Sequence, residues 1–175
     1  MEETTVSVIG IIIAALLMFI VPLILISDRS DDIAQLLVQT ATAEFVDEII
    51  KTGKITDDKY QKFISEITTS RNSYEIDMEL KILDENTAKI GSNNTYYSIF
   101  TSQIEDIIGV SGNINENNAD GKIILKQGDI ISVTVNNNSK TLSQSLKGFF
   151  YGINGTDISI IAATASGTVA ITGAR

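Results

Sequence analysis

The sequence contains no cysteine, no histidine and no tryptophan, and only one proline among its 175 residues. Without cysteine, the chain has neither a disulfide framework nor a thiolate zinc site. Without histidine, it has no Ser-His-Asp or Cys-His catalytic centre and no imidazole ligand for a transition metal. We therefore predict that the protein is not an enzyme, binds no cofactor or metal, and has a physical rather than a chemical role.

Positive charge is also scarce, with 13 Lys and Arg against 22 Asp and Glu, which gives a net charge of −9. A surface that binds nucleic acid needs Lys and Arg to neutralise phosphates. The charge balance therefore predicts no nucleic-acid partner.

The apolar residues are concentrated in one run near the N-terminus. Residues 6–26 read VSVIGIIIAALLMFIVPLILI, in which 18 of 21 positions are apolar and none is charged. A helix of this length covers about 30 Å, the thickness of a bilayer core. A core helix of the same length would normally carry a polar stripe, and this run has none. We predict a hydrophobic anchor helix within residues 1–29.

A cleavable secretory signal is the main alternative to an anchor. Such a signal has a basic start, a shorter apolar run and a small-x-small cleavage site. Here the chain starts with Glu2-Glu3, and the run is followed by Ser27-Asp28-Arg29. We therefore expect the anchor to be retained. A large C-terminal domain translocates largely regardless of its charge, so we expect that domain on the extracytoplasmic side.

Residues 30–53 are predicted to form an amphipathic helix that extends the anchor. Ser30 is a suitable N-cap if the helix begins there, and Lys51 and Gly53 are suited to its end. Pro22 is expected to kink or loosen a continuous helix near the membrane exit.

The apolar positions of this extension fall into two groups on a helical projection. Ile33, Ala34, Leu36, Leu37 and Val38 lie on one side, and Phe45, Val46, Ile49 and Ile50 lie nearly opposite. A helix on a single core keeps one apolar face. Two interpretations stay open: the helix bends or wraps around its own domain, or its first half packs on neighbouring subunits.

Residues 54–175 are predicted to form a small α+β domain. Thr56 caps a short helix over 57–70, and residues 75–83 alternate between apolar and charged side chains, as a half-buried strand does. Residues 95–109 are ambiguous and favour a helix or an irregular packed segment.

The last third of the chain is predicted to be mostly strand. Residues 122–126 and 130–135 are expected to form a hairpin, and residues 139–146 a short helix. Two β-rich segments, 157–165 and 168–172, follow with a bulge or turn between them. The predicted fold is therefore a long N-terminal transmembrane or filament-core helix, followed by a domain with a second helix and an antiparallel sheet of four or five strands.

Two polar segments, 84–95 and 112–121, are predicted to be loops. Oxygen-bearing side chains alternate in the second loop, at Asn113, Asn115, Asn117 and Asp120. This spacing has a faint similarity to a calcium loop, but it lacks the acidic residues and the glycine placement of an EF-hand. A plain Asn-rich turn is favoured.

Two features of the anchor are candidates for assembly. Glu2 and Glu3 either lie in interfacial water or pair with the terminal amine of a neighbouring chain, a contact that would set the register between subunits. Gly10, Ala14 and Ala15 are small enough to allow close helix approach.

The combination of an acidic residue, an apolar helix with a central proline, an amphipathic extension and a β-rich domain resembles type IV pilins. More specifically, TATAEFVDEIIKTGKITDDKYQKFISEI, YEIDMELKILDEN and GDIISVTVNN are similar to single-span proteins of Tad-type pilus or conjugation-like loci in Gram-positive bacteria. The resemblance implies a pilin-like subunit that polymerises through its N-terminal helix into a cell-surface filament, with Glu2 or Glu3 as the acidic residue. The implied partners are other copies of the chain, the membrane and the pilus or secretion assembly machinery.

One departure from the pilin pattern keeps an alternative open. No short basic leader ending in glycine precedes the apolar run. The alternative is a permanently anchored accessory or adaptor protein of a pilus, secretion or conjugation apparatus.

Overall fold

The structure is a computed structural model and describes residues 2–70, 72–84, 96–110, 121–151 and 161–173. Its helices are α1 (Glu2–Thr52), α2 (Asp57–Thr68), α3 (Thr101–Ile108) and α4 (Leu142–Tyr151). Its strands are β1 (Lys54–Thr56), β2 (Tyr74–Leu83), β3 (Tyr96–Phe100), β4 (Lys122–Ile124), β5 (Ile130–Asn137) and β6 (Ala162–Thr168). A long N-terminal helix followed by helices and an antiparallel sheet confirms the predicted α+β class.

The anchor and its extension form one helix, α1, which continues through Pro22 and Ser30. Ser30 therefore does not begin a helix, and its proposed capping role was wrong, because the preceding turn already supplies acceptors for the main-chain N–H groups there. The predicted end of the helix is confirmed: Lys51 lies in the last turn, and the Gly53 N–H donates to the Ile49 carbonyl over 2.8 Å.

Gly53 ends α1 in a conformation that disfavours any other residue. Its φ is +60°, and a Cβ built on it would collide with the main chain at Ile171 and Gly173. The left-handed region costs an L-residue about 1–2 kcal/mol before any clash is counted.

We therefore expect Gly53→Ala to lower the free energy of unfolding by about 2 kcal/mol or more, as measured by urea unfolding in detergent. Gly10→Ala is the matched control, because a Cβ at Gly10 meets no atom within 4 Å. Equal unfolding midpoints for the two variants would contradict this role of Gly53.

The chain divides into two compact units. The first comprises Met1–Ala34 and Lys140–Ser159, and the second Gln35–Ser139 and Ile160–Arg175. The predicted boundaries at residues 29 and 53 remain a prediction.

The core of the second unit includes one face of the later part of α1. Val38, Phe45 and Ile49 are all buried there, and their spacing of seven and four residues places them on one side of the helix. The Phe45 ring stacks on Phe63 of α2, with ring centroids 4.5 Å apart. Val38 therefore belongs with the buried face, and its predicted position opposite Phe45 was wrong.

The second helix confirms its prediction. Thr56 is its N-cap, with its hydroxyl accepting from the Lys59 N–H, and Tyr60, Phe63 and Ile67 form its buried face.

The larger sheet has four strands in the order β3-β2-β5-β6, with antiparallel pairing throughout. Strand β2 confirms the alternation in the sequence: Met78 and Leu80 face the core, whereas Glu75 and Asp77 are exposed. Four strands also agree with the predicted four or five.

The predicted hairpin between 122–126 and 130–135 was wrong. Strand β4 pairs with β1 in a separate two-stranded sheet, whereas β5 pairs with β2 and β6. The buried Asp129 carboxylate accepts from the N–H groups of Lys126 (2.7 Å) and Leu83 (2.9 Å). These bonds hold a turn that sends the chain from one sheet into the other.

Three other local predictions need correction. Residues 96–100 are a strand, and only 101–108 are helical. Strand β6 passes without a turn through Gly167, which is packed so closely that a Cβ there would meet the Ile50 side chain. The short helix predicted over 139–146 is α4, which begins and ends later.

Several predictions lie outside the described residues. They concern the loop residues 85–95 and 112–120, with the calcium-like spacing in the second loop, and the β-rich residues 157–160.

Candidate functional site

The apolar run of α1 forms an exposed hydrophobic surface. Every residue from 4 to 26 is exposed or half-buried. Among the described residues, α1 is the one helix long and apolar enough to cross a bilayer, and none of its most apolar window is buried. The core helix of a soluble protein would be covered by its own fold, unlike this one. A membrane anchor and a signal sequence both fit this composition and position.

The predicted assembly residues of the anchor lie on this exposed surface. Gly10, Ala14, Ala15 and Pro22 are all exposed in α1. Gly10 and Ala14 are one helical turn apart and so share a face. Glu2 and Glu3 form the first turn of α1, and their side chains lie outside the described set.

Exposed apolar side chains continue beyond the run. Ile33 is 61% exposed and Leu36 is 64% exposed. Leu37 is half-buried, whereas Ala34 and Val38 are buried. The apolar group predicted around residues 33–38 is therefore divided, with Ile33 and Leu36 left at the surface.

Helix α4 is attached to α1 just after the apolar run. The Asp28 carboxylate accepts hydrogen bonds from the Ser143 hydroxyl and from the Lys147 ammonium, the latter over 2.6 Å. The Thr141 hydroxyl donates to Asp31 over 2.6 Å. The Lys147 ammonium and the Ser143 hydroxyl hold the pKa of Asp28, which lies outside the apolar run, below its usual value.

A reciprocal pair of hydrogen bonds caps α4. The Gln144 N–H donates to the Thr141 hydroxyl, and the Gln144 side-chain oxygen accepts from the Thr141 N–H. This is a capping box, and it fixes where α4 begins. The sequence analysis missed this cluster, and the Thr-x-x-Gln spacing is the signal that could have found the helix start.

A glutamine of α1 covers the start of the edge strand β6. Gln35 Nε2 donates to the Ala162 carbonyl over 2.6 Å, and the Ala162 N–H donates to Gln35 Oε1 over 2.9 Å. Beyond these two hydrogen bonds, an open groove of about 570 Å³ lies between α1 and β6. Glu44, Asp47 and Ser166 are among the residues that line it.

A second open groove, of about 530 Å³, lies on the outer face of the larger sheet. Asp77, Glu79 and Phe100 are among the residues that line it. The Glu79 carboxylate is already engaged, since it accepts from the Ser98 hydroxyl over 2.7 Å and lies 3.7 Å from the Lys81 ammonium.

A hydrogen bond between two ionisable side chains joins α2 to α3 in the second unit. Tyr60 of α2 donates its hydroxyl to Glu105 of α3 over 2.6 Å. Burial, with the neighbouring carboxylate, raises the pKa of Tyr60 well above its usual value. Within the described ranges, no three His, Cys, Asp or Glu residues come together as a potential metal site.

Comparison with known proteins gives no relative. No family model matches the chain, and neither curated proteins nor solved structures give a significant match. The function is therefore inferred from the surfaces of the protein itself.

Proposed function

We propose that this protein is a membrane-anchored, pilin-like structural subunit that polymerises through α1 into a cell-surface filament, with its α+β domain extracytoplasmic. The observation that supports the proposal best is the exposed apolar run of α1, which is long enough to cross a bilayer. Two further apolar side chains, Ile33 and Leu36, are exposed beyond the polar residues 27–32. Contiguous exposed apolar surface marks sites of association with proteins or membranes.

A bilayer accounts for the first part of this surface only. The hydrocarbon core accommodates about 20 helical residues, which residues 6–26 already supply. Ile33 lies seven residues after Ile26, about 10 Å further along a helix. A second copy of the chain would cover both this residue and the run once the helix leaves the lipid.

Burial between copies supplies the driving force. Apolar surface removed from water contributes about 25 cal/mol per Å², and the small residues Gly10, Ala14 and Ala15 let helix backbones approach closely. The Glu2-Glu3 pair is available to a neighbouring chain's terminal amine, a pairing that would set the register of the assembly.

We expect the double substitution Ile33→Asn with Leu36→Asn to abolish fibre formation while leaving membrane insertion intact. Full burial of such a side chain contributes about 1.5–3 kcal/mol, and roughly three fifths of each is still exposed. The two changes together therefore remove about 2–4 kcal/mol per copy, which corresponds to at least a tenfold loss in association. Negative-stain microscopy and sedimentation of sheared cell-surface material measure the fibres. Gln39→Asn, at an exposed polar position of the same helix, is the control and should still form fibres.

The same experiment tests the adaptor alternative. An anchored accessory protein would stay in the membrane fraction without homopolymers, and cross-linking would recover it with machinery proteins. Fibres that survive the double substitution would contradict the proposed role of this part of α1.

A further inference from the structure

Apolar side chains of α4 are exposed, whereas a helix that covers a water-soluble domain buries its apolar side chains. Leu142, Leu146 and Phe149 are spaced by four and three residues, so they form one stripe. Leu142 is 65% exposed, Phe149 is 82% exposed and Leu146 is half-buried. Ser143 and Lys147 instead bind Asp28 of α1. The polar side of α4 thus faces the protein, and its apolar stripe faces outward.

The attachment point places this stripe beside the end of the apolar run. Asp28 lies two residues after Ile26, about 3 Å along a helix. Leu25 and Ile26 are themselves exposed. If residues 6–26 span the hydrocarbon, α4 is held within about one helical turn of its boundary.

This location suits the apolar stripe and the lysine of α4. Interfacial amphipathic helices carry Phe and Leu on the face that enters the boundary between headgroups and acyl chains. A lysine there keeps its ammonium in the polar layer while its methylene stem lies along apolar surface. Lys147 is already held at Asp28, so its charge stays at headgroup level. The cap at Thr141 and Gln144 satisfies main-chain groups at the start of α4 without the help of water.

We propose that α4 is an interfacial membrane helix, with Leu142 and Phe149 in the boundary between headgroups and acyl chains, and that Asp28 fixes it at this depth. The inference rests on the proposed anchoring of α1 and adds a second membrane contact to it. Two contacts would define both the depth and the rotation of the anchor, and so present the same face of α1 to a neighbouring copy.

The absence of tryptophan allows a direct test with single-tryptophan variants of the full chain in phosphatidylcholine–phosphatidylglycerol vesicles. Phe149→Trp reports on α4, Phe19→Trp on the apolar run, and Phe100→Trp on an exposed position of β3. Emission is recorded with lipids brominated near the headgroup end or deep in the acyl chain.

We expect the Phe149→Trp variant to emit at shorter wavelength than the Phe100→Trp variant and to be quenched at least twofold more by shallow than by deep bromine. The Phe19→Trp variant should show the reverse depth preference, and the Phe100→Trp variant should be unquenched. If Phe149→Trp behaves like Phe100→Trp while Phe19→Trp is still quenched, the interfacial helix is overturned and the anchor stays intact.

The other outcomes are equally decisive. An unquenched Phe19→Trp variant would refute the anchoring itself. The remaining outcome is a blue-shifted Phe149→Trp variant that bromine does not quench, and whose shift disappears when the protein is diluted among vesicles. That result would show that a second copy covers the stripe, which would also overturn the inference.

Discussion

Deletion of residues 2–26 is expected to abolish integral membrane association, so that an alkaline carbonate wash transfers the protein from the membrane fraction to the soluble fraction, and to eliminate fibres. The run contains 15 Leu, Ile, Val and Phe residues, and each contributes about 0.3–0.6 kcal/mol to insertion on the biological scale. The total is about 5–9 kcal/mol, or several orders of magnitude in partition. Ultracentrifugation of cell lysates with immunoblotting measures the effect.

A polyleucine run of equal length is the control for this deletion. It should restore membrane association, because apolar length is sufficient for insertion. It should not restore fibres if close packing at Gly10 and Ala14 is needed. A truncated chain that stays with the membranes after an alkaline carbonate wash would contradict the role assigned to the run, because a peripheral contact through α4 alone would not survive that wash.

Phe63→Ala is expected to lower the free energy of unfolding of the α+β domain by about 3–5 kcal/mol. Phe63 is 2% exposed and stacks on Phe45, so the truncation leaves a cavity between α2 and α1. A domain of ordinary stability has about 5–15 kcal/mol in total. Urea unfolding in detergent, followed by near-ultraviolet circular dichroism of the tyrosines, measures the loss.

Phe100→Ala makes the same chemical change at a position that is 57% exposed. It should change the free energy of unfolding by less than about 1 kcal/mol. Similar losses for the two variants would mean that Phe63 does not lie in the cooperative core.

Local patterns in the sequence predicted the elements whose burial follows a simple period. The alternation over 75–83 predicted β2, and the Thr56 cap predicted α2, since both signals act within a few residues. The apolar run predicted the exposed surface of α1 from composition alone.

Pairing between distant residues was not predictable in this way. Strand β4 pairs with β1, which has only three residues and no readable period. The turn at Asp129 has the local chemistry of a hairpin connection, and its carboxylate instead bonds to Leu83, 46 residues away. Turn residues indicate where a chain reverses but do not identify its partner strand.

The attachment of α4 was missed for the same reason. Asp28 and Ser143 are separated by 115 residues, and neither is unusual in its local sequence. The outward stripe of Leu142, Leu146 and Phe149 looks like an ordinary amphipathic face until the contacts of the opposite side are known.

The hydrogen bonds between Gln35 and Ala162 join an early and a late part of the chain, which has a consequence for folding during synthesis. These residues are 127 positions apart, and β6 also completes the sheet beside β5. The ribosome must therefore release almost the whole polypeptide before the native topology can close, since distant contacts form late. If the domain is exported, as proposed above, the nascent chain passes through a translocation channel unfolded, and its folding beyond the channel opposes backward movement.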